Sequence, residues 1–453
     1  MRIPSREPFR AMAYAALRGR RLRARSRAPR DDRAGWRRLV LVLQAVALLW
    51  PGAAWAAEDR PATVVLVSLD GTRPVDVTPA VTPRLAGLAE RGAVADRMTG
   101  VVPTNTFPSH ASLVTGVAPE RHGLVNNVFE DPEKGVFRKQ DIATWIEVEP
   151  LWSMLERAGL RTASFYWVGS EGAWPGGLAP SDWKPFSSRT KERTKVDGIL
   201  EWLDRPAGTR PRLVTSWFHG ADHAAHDHGP GSPEATRALA AQDVEIGRLV
   251  DGLAARGRLA DTTLLFVSDH GMTTAERHVD LGSALAKQDG IEARVYGIGG
   301  FATVVLHGDA RDDPDAIARI VARARALGLE AAARSEAPAA WRVDHPRFGD
   351  VVVRAPLGTA IVHPRLDIVG FHGYAPDAPD MAALFVAIGR GVPEGARLGE
   401  VRTVDVAPTV LALLGQPVPE WMEGEPIAAL VPPRGHVARR DAAPASATAG
   451  GAP

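Results

Sequence analysis

Residues 63–71 read Thr-Val-Val-Leu-Val-Ser-Leu-Asp-Gly. A continuous apolar run of this length, rich in β-branched residues, predicts a strand buried on both faces, as in a parallel sheet. It ends on an acid and a glycine. Similar runs recur: residues 162–167 (TASFYW) lead to Gly169-Ser170-Glu171, residues 212–218 (RLVTSWF) to His219-Gly220-Ala221-Asp222, and residues 262–268 (TTLLFVS) to Asp269-His270-Gly271. Residues 381–388 read as a fifth strand. Helical patterns fall between them, near 82–91, 152–158, 196–203 and 233–255, with a closing helix at 406–414. Strands alternating with helices predict an α/β fold: a three-layer sandwich around a largely parallel central sheet. Ligands in such folds bind beyond the carboxyl ends of the strands. Asp70, Asp222 and Asp269 are therefore expected to converge on one crevice. A turn-forming role accounts for any one of them singly. Three at strand ends, two with neighbouring histidines, point to a site.

The chain has 453 residues and no cysteine, which excludes disulfides, thiolate metal sites and cysteine nucleophiles. Any transition-metal site must use His, Asp and Glu. Residues 1–57 hold 13 Arg against Glu7, Asp31 and Asp32, a net of +10; the overall net of +1 thus leaves −9 for the rest. An acidic body offers no electrostatic basis for nucleic-acid binding. Arg37-Arg38, the apolar run Leu39–Trp50 and the small-x-small site Ala54-Trp55-Ala56 read as a signal segment over 1–57, with the paired arginines hinting at a twin-arginine route. Cleavage would leave no stable membrane anchor. An uncleaved anchor is the alternative, although the apolar run is short for a span. The domain is expected over 58–431, and 432–453, rich in Ala and Pro, reads as a disordered tail. Inside the domain the βα alternation breaks over about 278–371. There a strand (301–306), a helix (313–327) and a hairpin (350–354 with 359–362) predict a small α+β insertion subdomain.

A second stretch, VVPTNTFPSHASLVTGVAPERHGLVNN (101–127), carries the chemistry. Pro108 suits the first turn of a helix, which places Thr106 at the helix N-terminus, where free N–H groups and the dipole favour phosphate. The plainer role for such a threonine is an N-cap. As a nucleophile it needs a base or a metal.

Metal ligands are at hand. Asp222 and His226 are four apart and share a face on a helical turn. Asp269 and His270 are adjacent at a strand end, and His372 sits in the glycine-flanked loop Gly-Phe-His-Gly-Tyr. With Asp70 these make six N/O ligands. That is enough for two zinc-like ions with three protein ligands each and open positions besides. Paired ions about 4 Å apart clamp the attacking and leaving oxygens of a displacement at phosphorus. His223 and His228 read as a solvated part of the same His-rich stretch.

In order along the chain, VSLDG, PTNTFPSH, PERHGLVNN, FYWVGSE, DHAAHDHGP, VSDHGM and FHGY closely resemble the nucleotide pyrophosphatase/phosphodiesterase family of the alkaline phosphatase superfamily. EAPAAWRVDHPRFGDVVV and VRTVDVAPTVLALLG extend the resemblance, which runs from Thr63 to Ile427. It implies a zinc-dependent hydrolase, with Thr106 as a metal-held nucleophile that passes through a phospho-threonine. It implies one zinc on Asp70, Asp269 and His270, and a second on Asp222, His226 and His372. Asn127 matches the family asparagine that hydrogen-bonds a non-bridging phosphate oxygen. Phe107 and Trp183 match positions that stack on a nucleobase. The implied partner is a small phosphodiester, nucleotides included.

Diester rather than monoester hydrolysis is what the resemblance implies here: the family's monoesterases usually supply cationic side chains to the extra phosphate charge, and residues 167–171 hold no Lys or Arg. Lys184, or an arginine of the insertion, could still reach in. A phosphomonoesterase or phosphonate hydrolase of the same superfamily is the alternative, and a non-catalytic metal-binding exported protein a third reading. The chain departs from the family at Ser109, where Asn is common, and at Gly220-Ala221, where an acidic-Pro pair is usual. Phe371 and Ala375 also depart. None of these removes a ligand.

Overall fold

The computed structural model describes residues 62–286, 291–311 and 313–431. The expected signal segment and C-terminal tail lie outside them. The central sheet has eight strands: β1 (Thr63–Leu69), β2 (Ala93–Val94), β3 (Thr162–Phe165), β4 (Asp182–Lys184), β5 (Leu213–Phe218), β6 (Thr262–Val267), β7 (Phe385–Gly389) and β8 (Ala396–Arg397). Their spatial order is β8-β2-β7-β6-β1-β5-β3-β4. β1 lies at the centre, paired in parallel with β5 and β6, and only β7 runs against the rest. All seven residues of β1 are buried. Each Val or Leu so buried stabilises by about 1.5–3 kcal/mol, so truncating Leu66 to Ala would cost about 2–5 kcal/mol. Residues 182–184, read from sequence as loop, form the short edge strand β4, and β2 and β8 are too short to leave a periodic signal.

Three helices matter most for the site: α1 (Thr106–Thr115), α2 (Gly220–His228) and α3 (Pro233–Ala255). All ten residues of α1 are buried, and Gly116 ends it in the left-handed region at φ 71°, where glycine lacks the Cβ penalty. α3 starts at Ser232, whose side chain accepts from the Ala235 N–H, with Pro233 in its first turn. It packs on α2 and on the helices Pro83–Arg91 and Glu192–Asp204, while α1 packs on Val406–Leu413.

The region between β6 and β7 has its own apolar core, including Leu281, Val304, Ile320, Val351 and Ile361. An antiparallel sheet of Glu292–Tyr296, Phe301–His307, Val351–Arg354 and Glu330–Ala333 carries the helix Pro314–Ala326. The expected hairpin is not formed. Val351–Arg354 pairs with its sheet neighbours, whereas Gly358–Ile361 pairs in parallel with Thr273–Val279. Pro356 and Gly358, at φ 82°, turn the chain away between the two strands. On its other edge Thr273–Val279 pairs with Gly370–Phe371, which delivers His372.

Candidate active site

A cavity of about 590 Å³ opens where β1 and β5 end and α1 begins. Asp70, Thr106, Phe107, Asn127, Asp222, His226 and His372 line it. Asp269 and His270 lie fully buried in its floor. The strand-end acids thus converge as the alternation of elements predicted, and Asp222 with His226 occupies one turn of α2.

The ring hydrogen bonds decide which histidine atoms face the cavity. His226 Nδ1 donates to the Gly370 carbonyl (2.8 Å), His270 Nδ1 to the Gly271 carbonyl (2.8 Å) and His372 Nδ1 to the Thr104 carbonyl (3.1 Å). Each Nε2 is then left with its lone pair. A backbone carbonyl on the far nitrogen is the usual support of a metal-binding imidazole. Ligand atoms of Asp222, His226 and His372 lie within 4.8 Å of one another, as do those of Asp70, Asp222 and His270. Asp222 thus belongs to both clusters. Asp269 Oδ2 lies 3.1 Å from His270 Nε2, and Asp70 Oδ1 lies 3.6 Å from it.

These atoms repel one another as they stand. Asp70 Oδ1, Asp222 Oδ1 and Asp269 Oδ2 are buried without a hydrogen-bond partner. Burial, then the charges of Asp222 and Asp269, push the Asp70 carboxyl well above its ordinary range. For Asp269, burial pushes up, but the adjacent His270 and His110 win and hold it below the carboxylate range. Burial first, then His270 and His226, keep His372 neutral, the form in which imidazole binds a metal. Orphaned carboxylate oxygens beside imidazole nitrogens are the donor set that a hard or borderline divalent cation satisfies. The residues present therefore fit a divalent-cation site.

Thr106 is the first residue of α1 and is 7% exposed. Its Oγ1 lies 3.3 Å from His270 Nε2. Asn127 Oδ1 accepts the Phe107 N–H at 2.9 Å. Asn127 thereby caps α1 from 20 residues away, and its amide NH₂ is free to donate elsewhere.

Trp183 is 41% exposed on β4 and lines neither the main cavity nor its neighbour. It sits within the strand, opposite Ser164. Phe186, just past the carboxyl end of that strand, reaches the cavity instead and stacks on Trp217 at 5.1 Å and 24°. Lys184 lines neither cavity. A cation is nevertheless present. Lys139 lines both the main cavity and an adjoining one of about 290 Å³, with its Nζ 4.8 Å over the Phe107 ring. Burial lowers its pKa, and the charge of Asp70 opposes that shift. His223 stands at the rim, and neither it nor His228 joins a ligand cluster among the described residues.

Two supporting residues escaped the sequence reading. Trp217 Nε1 donates to Asp70 Oδ2 at 2.7 Å. His110 lies 3.3 Å from Asp269 Oδ2, its Nδ1 also donating to the Thr106 carbonyl at 2.8 Å. His110 had a signal: it is four residues after Thr106 and so shares its face of α1. Trp217 had none, since an aromatic residue on a buried strand reads as core.

Residues 64–375 match the family described as type I phosphodiesterase/nucleotide pyrophosphatase. An uncharacterized pyrophosphatase/phosphodiesterase of Schizosaccharomyces pombe is 33% identical over 358 residues, covering 72% of this chain and 71% of that protein. Human ectonucleotide pyrophosphatase/phosphodiesterase family member 1 is 30% identical over 251 residues, 53% of this chain but only 27% of that longer protein. Murine ectonucleotide pyrophosphatase/phosphodiesterase 5, solved in complex with AMP, superposes with a TM-score of 0.72 at 24% identity, covering 79% of this chain and 96% of that one. Among the described residues no helix is long and apolar enough to cross a membrane. The order of the strand-end acids, the buried Thr106 and these matches together make the chain a member of the type I phosphodiesterase/nucleotide pyrophosphatase family of the alkaline phosphatase superfamily.

Proposed function

We propose that the protein hydrolyses phosphodiester or phosphoanhydride bonds of small substrates, nucleotides among them, through a phospho-threonine on Thr106. The observation that carries this reading is the placement of the Thr106 hydroxyl, at the start of α1 and 3.3 Å from His270 Nε2, in the cavity that Asp70, Asp222, His226 and His372 also line. Asp70, Asp269 and His270 would hold one zinc ion, and Asp222, His226 and His372 the other. The ions would supply activation of oxygen nucleophiles and neutralisation of charge at phosphorus.

The chain's own residues do the rest. Thr106 Oγ1 forms a bond to phosphorus as the ester or anhydride oxygen opposite leaves. The Asn127 amide and the N-terminus of α1 stabilise charge on the non-bridging oxygens. Water then cleaves the threonine–phosphorus bond, which releases a monophosphate and restores the hydroxyl. Phe107 and Phe186 offer aromatic faces to a base or an aryl group, and such stacking tolerates any base. The basic, apolar segment of residues 1–57 supports export of the protein.

The test compares bis(p-nitrophenyl) phosphate, a nucleoside p-nitrophenyl phosphodiester and p-nitrophenyl phosphate, with zinc and after chelation. Diester turnover that chelation abolishes and zinc restores, and that Thr106→Ala lowers by about 10³-fold or more, is the expected outcome. Unchanged hydrolysis by Thr106→Ala overturns the mechanism. A strong monoester preference moves the protein to the alternative branch of the superfamily.

A further inference from the structure

Asn105 is the N-cap residue of α1, yet its side chain caps nothing. Asparagine is among the best N-caps because its oxygen accepts an N–H of the first turn, a bond worth about 1 kcal/mol. Here the amide turns away from the helix. Its Oδ1 accepts from His372 Nδ1 at 2.8 Å, and its Nδ2 donates to Asn126 Oδ1 at 2.8 Å. Asn126 Oδ1 also accepts the Asn127 backbone N–H at 2.8 Å, and Asn127 Oδ1 accepts the Phe107 N–H at 2.9 Å. Asn105 is 3% exposed and Asn126 1%.

The orientation of both amides is fixed from the two ends. His372 Nδ1 carries a proton because it also donates to the Thr104 carbonyl at 3.1 Å. The Asn105 atom facing it is therefore the oxygen, and its nitrogen faces Asn126. The Asn126 atom between Asn105 Nδ2 and the Asn127 N–H must likewise be an oxygen. Two glycines make room for the pair. A Cβ on Gly373, at φ 91°, would lie 2.8 Å from Asn105 Oδ1, and one on Gly297, at φ 115°, 2.9 Å from Asn126 Nδ2.

We infer that Asn105 and Asn126 are positioning residues that tie the His372 ligand to the Asn127 donor, so that the second metal cluster and the phosphate-facing amide are set by one hydrogen-bonded chain. Because Asn105 gives up its capping role, its side chain is committed to the site rather than to helix stability. The zinc arm of the test rests on the proposed metal site.

The full chain is compared with N105A, N105D, N126A, N126D and the N105A/N126A double variant. The readouts are zinc affinity by competition with a chromophoric chelator, kcat and KM on bis(p-nitrophenyl) phosphate, and the His372 Nδ1–H proton resonance of metal-free protein. N105A is expected to weaken zinc about 10-fold and to lower kcat about 10-fold, the usual effect of losing an outer-shell partner. N105D keeps an acceptor for His372 but loses the donor to Asn126. Zinc affinity then stays within about 3-fold while kcat falls about 10-fold. N126A lowers kcat alone. N126D keeps an oxygen for both donors and stays within about 2-fold on every readout. In the double variant the losses do not add.

A merely structural role would lower stability without separating kcat from zinc affinity in N105D. N105A within twofold of the parent chain on both, or additive losses in the double variant, overturns the inference. A parent chain that binds no zinc sinks the metal site instead. The relay is then decided by the His372 resonance, which N105A must move and N126D must not.

Discussion

Asp70, Asp222 and Asp269 hang from the ends of three neighbouring strands, whereas Lys139, Phe186 and Ile298 reach the same cavity from three separate loops. The first set forms a floor whose geometry is inherited from the sheet. β1, β5 and β6 are buried and in register, so residues just past their ends cannot move apart without breaking the core. The second set forms a rim that depends on long-range clamps. Ile298 arrives on the loop between Tyr296 and Phe301 of the insertion, and Val128 and Lys139 on a loop that this same region holds down. The rim is also the apolar part: Val128, Phe186 and Ile298 are each more than a third exposed. The difference separates chemistry from selection. Changes in the floor should abolish turnover, and changes in the rim should redistribute it among substrates.

The clamp under the rim gives the largest expected effect. Arg347 is 2% exposed, with Nε 2.6 Å from Asp131 and Nη2 2.9 Å from Glu147, and with Nη1 donating to the Gly123 and Trp145 carbonyls at 2.8 Å each. Its guanidinium also lies over the rings of Phe129 and Trp145. All these partners belong to residues 123–147, the segment that carries Asn126, Asn127 and Lys139. Removing one partner of a buried ion pair typically costs about 3–5 kcal/mol, because the other is left uncompensated. Arg347→Met is expected to lose that much in urea unfolding and to lower kcat/KM. Zinc affinity of the folded fraction should fall less than kcat/KM, because the loop meets the floor only through the Asn126–Asn105–His372 hydrogen bonds. Arg347→Lys, which keeps the charge but not the planar fork, should fall between. Zinc affinity that falls in step with kcat/KM would break the separation of floor from rim.

The floor was largely legible in the sequence and the rim was not, for physical reasons. A ligand at the end of an apolar run can be placed from the run alone, since the sheet forces strand ends together. Asp222 and His226 needed only the helical period. The rim residues meet across large separations and no local pattern predicts the meeting: Lys139 lies far along the chain from Ile298. Trp183 illustrates the limit. It and Phe186 are three residues apart on a segment read as loop, and only the pairing of β4 with β3 shows which of them passes the strand end. The expected hairpin at 350–362 failed for a related reason. Two good strand sequences joined by Pro and Gly do not say which neighbour each will pair with.

His122 sits at the seam between the two regions and gives the next largest effect. Its Nδ1 accepts the Leu124 N–H at 3.1 Å, so the proton is on Nε2, which donates to Ser112 Oγ of α1 at 2.9 Å. Complete burial pushes its pKa down to about 3. The folded state therefore holds His122 neutral while the unfolded chain titrates near 6.5, so its stability is fully present above pH 6.5 and is lost as pH falls toward 3. The expected loss is about 2 kcal/mol between pH 7 and pH 5. His122→Gln should be less stable at pH 8 and should show a flatter decline with acid. Parallel pH–stability curves for the two proteins would show that this histidine is not the seam's weak point.

The smallest effect is the most direct probe of the rim. The Lys139 ammonium lies between the metal floor and the aromatic side cavity, where burial lowers its pKa against the opposing charge of Asp70, and the Phe107 ring is 4.8 Å away. Near a surface, a unit charge about 5–6 Å from an added phosphate is worth roughly 1 kcal/mol once solvent screening is allowed for. A diester with neutral arms gives this cation nothing to meet beyond the scissile phosphate. A substrate with a second phosphate beside it does. Lys139→Met is therefore expected to lower kcat/KM about 5-fold for a nucleoside triphosphate and to leave bis(p-nitrophenyl) phosphate within about 2-fold. An equal loss on both would place Lys139 in the floor, acting on the reacting phosphate itself. An effect on the diester alone would mean that the lysine orders the Phe107 wall rather than reading charge. In either case the division between floor and rim would have to be redrawn at Lys139.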